Sequence, residues 1–229
     1  MLNGRIVKIT TYLTETGGKQ LTMKRVYSVL ISTLLAVAII CAGSLPVYAY
    51  ETTGYTLNGG VGNYGYTTRY YYIDSSCTST MKTDIAAAWN DWTYTTSSLG
   101  ITTPISVKET TTKSSSVFDF YYKAQYEEEE GVLGVTLFWR HQEQVSTTGY
   151  MPSQNWGWCQ IILNKPNFVS LSRNDGGLNR QKGVIAHEIG HAFGLCHTTS
   201  MWTLMYPYGD TVKVDSCTAD ELNGINYLY

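Results

Sequence analysis

Read for the spacing of its apolar side chains, the chain divides near residue 50. Ahead of that point, residues 29–42 form an almost unbroken apolar run. Behind it, apolar positions recur with two different periods. Met81, Ile85, Ala88, Trp89 and Trp92 fall at three- and four-residue steps, which puts them on one face of a helix over 78–92. Thr78, Ser79 or Thr80 can cap it, and its aromatics read as core. A second helix is predicted over 178–195, behind the turn Asn174-Asp175-Gly176-Gly177, and a third over 218–229. Segments 66–73, 105–108, 116–122, 131–139 and 159–164 are short and rich in strand-forming residues. One helix among strands, followed by two C-terminal helices, predicts an α/β (α+β) domain: a twisted mixed β-sheet backed by three helices. No internal repeat or second domain is visible.

The leading apolar run follows the basic Met23-Lys24-Arg25 and precedes Val47-Tyr48-Ala49, a small-x-small cleavage signal. This predicts a signal peptide over 1–49, cleaved before Tyr50. An uncleaved anchor is the alternative, although the run is short for a membrane span. The residues ahead of Met23 are unusual for such a leader, so Met23 is the alternative start. Cys41 lies within the discarded run. Residues 50–229 make about 180 residues, enough for one domain with its own core. They carry 17 acidic and 11 basic side chains and no basic patch, which argues against a nucleic-acid partner. A secreted, extracellular monomer is expected, with no membrane association after cleavage. Four cysteines remain, Cys77, Cys159, Cys196 and Cys217. An even count in an exported chain favours two disulfides, with three pairings open, against four unpaired buried thiols. The four glutamates at 127–130 read as a solvated loop. A calcium contact or a preference for basic substrates is the other reading, but four consecutive side chains cannot all face one ion.

Chemistry concentrates in residues 187–197, His-Glu-Ile-Gly-His-Ala-Phe-Gly-Leu-Cys-His. His187 and His191 are four apart, so on a helix they share a face and can reach one ion. Gly194 can adopt a left-handed conformation and end the helix, letting the chain return with His197 as a third ligand. Three neutral ligands leave a fourth tetrahedral position for water, the pattern of a catalytic zinc site. Glu188 stands beside the first ligand, placed to serve the water rather than the metal. Cys196, adjacent to His197, points elsewhere and is not a ligand.

The stretch Thr-Leu-Met-Tyr-Pro-Tyr at 203–208 follows, with Met205 eight residues after His197. Together with the extended histidine motif it resembles the Met-turn of the metzincin zinc peptidases. The ending Asp-Glu-Leu-Asn-Gly-Ile-Asn-Tyr-Leu-Tyr resembles the last helix of the matrixin branch. The resemblance is continuous from about Gly183 onward and looser upstream. It implies a zinc cleft between an upper and a lower subdomain, and a secreted endopeptidase with one catalytic zinc, Glu188 as general base and a protein or peptide substrate. It further implies that Gly131-Val132-Leu133-Gly134-Val135-Thr136 is the cleft-edge strand, written Gly-x-Leu-Ala-His-Ala in the family, so that Leu133, Gly134 and Val135 meet substrate. Gly183, Tyr206, Pro207 and Tyr208 become pocket residues. A glycine at 183 would leave the pocket floor open to large apolar side chains, while Pro207-Tyr208 in place of Pro-x-Tyr alters the wall. Val135 replaces the histidine that holds the family's structural zinc, and His141 alone does not rebuild that site. The loop 147–158 has no acidic residue, so structural calcium has no support. Latency through a propeptide cysteine is not expected, because no such segment lies between Ala49 and the first strand. Because the last helix packs near the zinc loop in the family, the resemblance favours Cys196–Cys217 with Cys77–Cys159. Two further readings compete: a non-catalytic, zinc-stabilised binding module, against which the intact Glu188 argues, and a peptidase restricted to one dedicated target.

Overall fold

The computed structural model describes residues 50–126, 131–148 and 151–229. The expected signal peptide and the four glutamates at 127–130 lie outside the described residues. A six-stranded sheet runs in the order β2-β1-β3-β8-β4-β5. Its strands are β1 (Arg69–Ile73), β2 (Val107–Glu109), β3 (Phe118–Lys123), β4 (Gly134–Arg140), β5 (Glu143–Gln144) and β8 (Trp158–Asn164). Strands β2, β1, β3 and β8 are mutually parallel, and β4 runs antiparallel to β8 with Thr136 opposite Ile161. The small hairpin β6 (Thr147–Thr148) and β7 (Met151–Pro152) sits apart.

Three helices carry the packing, in the expected places: α1 (Ser79–Thr93), α4 (Arg180–Ala192) and α5 (Ala219–Leu228). Two single-turn helices were not expected, α2 (Thr95–Leu99) and α3 (Lys165–Phe168). Gly100, with φ 69°, ends the first of these, and Pro166 opens the second. Strand β4 begins later than its apolar pattern suggests, because Gly131 has φ 83° and turns the chain first. Thr78 caps α1 by accepting from the Met81 N–H. The buried face of α1 also carries Asp84, which the apolar pattern does not anticipate. The carboxylate is satisfied there by Arg173, at 3.1 and 2.8 Å, and by the Asn179 amide at 3.0 Å.

Aromatic rings fill the space between sheet and helices. Trp89 packs against Phe118 at 5.1 Å and Phe193 at 5.8 Å between ring centroids. Trp92 is fully buried, and its Nε1–H donates to the Ala186 carbonyl at 3.1 Å, fastening α1 to α4. On the opposite face of the sheet, Val135, Leu137 and Ile162 form a separate apolar cluster with Val132, Tyr126 and Trp139 against it. An apolar patch thus occupies the position where the resemblance expects a histidine.

The expected disulfides do not form; all four cysteines are unpaired. Three thiols are committed to carbonyls on different elements. Cys77 Sγ donates to Phe120 O, Cys159 Sγ to Ala192 O and Cys217 Sγ to Asp91 O. Cys196 instead lies just past the turn at Gly194, where its N–H donates to Glu51 O. Burial raises all four thiol pKa values above the ordinary range, which keeps them protonated.

Candidate metal centre and cleft

Helix α4 begins where Asn179 accepts from the Lys182 N–H at 3.1 Å. Ile185, Ala186, Ile189 and Ala192 anchor it in the core. That anchoring fixes which way the remaining face points, and it carries His187 and His191. Their Nδ1 atoms lie 2.8 Å from the carbonyls of Leu204 and Leu195. A carbonyl only accepts, so each Nδ1 carries the proton and each Nε2 keeps its lone pair. The third imidazole arrives by the turn that follows. Gly194 has φ 97°, and a Cβ there would stand 2.8 Å from Tyr55 O. The segment before Tyr55 pairs with this turn, Thr53 N–H to Gly194 O and Cys196 N–H to Glu51 O. His197 then meets His191 with the two Nε2 atoms 3.1 Å apart. The ligand atoms of His187, His191 and His197 all lie within 4.8 Å of one another, the one such group among the described residues. Two imidazoles oriented by carbonyls and a third converging on them form a donor set suited to zinc.

Met205, 1% exposed, follows Leu204, whose carbonyl holds His187. Its sulfur rests on Gly190, where any Cβ would collide with it. Its backbone N–H donates to Glu221 Oε1 at 3.2 Å, while Glu221 Oε2 closes a capping box with the Thr218 N–H at 2.7 Å. Helix α5 therefore holds the turn below the centre through a fully buried carboxylate, a role the sequence gives no reason to assign to Glu221.

Glu188 is 5% exposed, and its Oε2 lies 2.7 Å from the Thr136 hydroxyl on β4. Burial pushes its pKa up to about 7, the Thr136 contact opposing the rise. Burial also lowers His187 to about 4, with repulsion from His197 adding to the effect, and lowers His191 and His197 as well. The imidazoles are thus held neutral, the form that binds a metal.

The centre opens into a cleft of about 660 Å³. Residues 133–135, Gly183 and residues 206–208 all line it, together with His187, Glu188, His191 and His197. Its upper wall is β4, paired with β8 on one side. On the other side β5 reaches only Trp139 and Arg140, and Val145 bonds Phe138 O. Among the described residues, no strand pairs with the outer edge at 134–137. Val135 contributes backbone to this edge, since its side chain belongs to the apolar cluster on the far face. Tyr206 and Tyr208 meet edge to face at 5.5 Å.

Gly183 does not leave the floor open. A Cβ on it would lie 3.3 Å from Asp215 Cα, so the glycine instead admits the chain at 214–215 against α4. Arg180, which sequence reasoning passed over, organises this end. Its Nε and Nη2 bond Asp175 Oδ2 at 2.9 and 2.7 Å, and its Nη1 donates to the carbonyls of Gly209 and Val212. Arg180→Ala should cost about 1–3 kcal/mol, because those carbonyls lose a buried donor. It should also broaden the acceptance of side chains in the pocket. Denaturant titration and peptide profiling check the two effects.

A mixed sheet packed on a histidine-bearing helix, with a buried methionine set against that helix, is the metzincin architecture. Within it the chain belongs to the matrixin family, whose model (Peptidase_M10, matrixin) matches residues 64–229. The chain is 48% identical over 48 residues to matrix metalloproteinase-18 of Xenopus laevis, which covers 20% of this chain and 10% of that protein. It is 43% identical over 49 residues to stromelysin-1 of Equus caballus, again 20% and 10%. The matched stretch is thus about a tenth of each relative's length.

Proposed function

We propose that this chain is an exported zinc endopeptidase, freed of residues 1–49, whose catalytic base is Glu188. The observation that carries the reading is the convergence of three imidazoles, two of them oriented by carbonyls, beside a buried carboxylate, in a cleft walled by an unpaired strand edge. His187, His191 and His197 would hold the ion. Zinc, when bound, supplies a Lewis acid that makes water nucleophilic near neutral pH and polarises a carbonyl. The chain's own groups do the rest. The edge at 134–137 takes an extended peptide by backbone hydrogen bonds, which depend little on its sequence. The pocket between Val184, Leu204 and Tyr206 receives an apolar side chain next to the scissile bond. Glu188 accepts the proton of the attacking water and passes it to the leaving amine. Its burial makes it a stronger base than a solvated carboxylate.

The test is bound zinc per chain together with cleavage of a mixed peptide library. One zinc and chelator-sensitive cleavage are expected. A folded protein that takes up no zinc overturns the proposal. One zinc without library cleavage points to a single dedicated substrate or to a binding role.

A further inference from the structure

We infer that Thr136 is a positioning residue for Glu188 and that Gly134 leaves the space this requires. The inference deepens the peptidase reading and rests on it for its catalytic consequence. Gly134, Thr136 and Phe138 alternate along β4 on the face turned towards α4, while Val135 and Leu137 face away. Thr136 is 4% exposed, and its hydroxyl stands 2.7 Å from Glu188 Oε2 and 3.0 Å from the Glu188 carbonyl. A hydroxyl has one proton to donate. The shorter contact and the charge of its acceptor direct that proton to the carboxylate.

The other carboxylate oxygen, Oε1, lies where a side chain at 134 would be: a Cβ on Gly134 would come within 2.9 Å of Oε1 and 2.8 Å of Glu188 Cγ. Gly134 has no positive φ to explain its presence, so the carboxylate is what the missing Cβ accommodates. Both positions also depart from the strand pattern of the resemblance, which has alanine at each. One oxygen is therefore tied to the sheet and the other left to exchange protons. Fixing the carboxylate removes rotamers that cannot serve the reacting water, an orientation effect rather than a binding one.

Two measurements test this. In the zinc-loaded protein, Thr136→Val keeps the branched shape and removes the hydroxyl. It should lower kcat by about 10- to 100-fold with KM and zinc content unchanged, and Thr136→Ser should restore most of the loss. In chelated protein, unfolding of Thr136→Val, Glu188→Ala and the double variant should be non-additive by about tenfold in the equilibrium constant. Wild-type kcat in Thr136→Val overturns the catalytic role while leaving the peptidase intact. A zinc-loaded wild type that cleaves no peptide removes the peptidase reading instead, and the unfolding cycle then decides the Thr136–Glu188 link by itself. Additive unfolding overturns that link.

Discussion

Glu188→Gln should retain a full complement of zinc and lose peptide hydrolysis by about 10³-fold or more, towards the upper end of what general acid–base catalysis contributes. The substitution is close to isosteric. It leaves the three imidazoles untouched, and with them Leu204 and Leu195, the carbonyl partners of His187 and His191. The amide oxygen can still accept from Thr136, so the side chain stays where the carboxylate was. What disappears is the ability to take a proton near neutral pH, which burial confers on Glu188 by raising it to about 7. Zinc content by atomic emission and kcat/KM on the best library peptide give the answer. Retained hydrolysis in a zinc-replete variant would move the base to another residue.

The second large effect is expected on stability. Removing zinc should lower the melting temperature by about 8–16 °C. A site held at about a thousand times its dissociation constant adds about 4 kcal/mol, and a domain of this size shifts by about 2–4 °C for each kcal/mol. The physical cause lies in the ligands. His191 is buried and its Nε2 faces that of His197 at 3.1 Å, an arrangement that one cation satisfies and that protons satisfy poorly. His191→Ala should therefore reproduce the loss. His197→Ala should cost less, because that imidazole is exposed. Calorimetry with chelator, followed by zinc add-back, measures the shift. An unchanged melting temperature would mean that the native chain does not hold the ion.

Much of this was legible from local rules. Helix α4 announces its end through Gly194, and the four-residue step from His187 to His191 fixes their common face. The failures share one cause, which is that they concern contacts between segments distant in the chain. Counting cysteines cannot tell that Cys159 faces Ala192 while Cys77 faces Phe120. A glycine at 183 looks like open space until the chain at 214–215 is laid against it. Asp84 on an apolar face has no evident partner until Arg173 and Asn179 arrive from 89 and 95 residues away. Thr136 in a strand is unremarkable by propensity, and only the packing of β4 on α4 gives its hydroxyl a neighbour.

The packing of Met205 on Gly190 has a consequence for chemical ageing. A thioether takes up oxygen only if an oxidant can approach it and the product has room for a polar atom. Met205 meets neither condition, with its sulfur set on Gly190 and 1% of its surface open. Met201, four residues earlier, is 40% exposed. Peroxide should mark Met201 well before it reaches Met205, and sulfoxide at Met205 would record that the domain had opened.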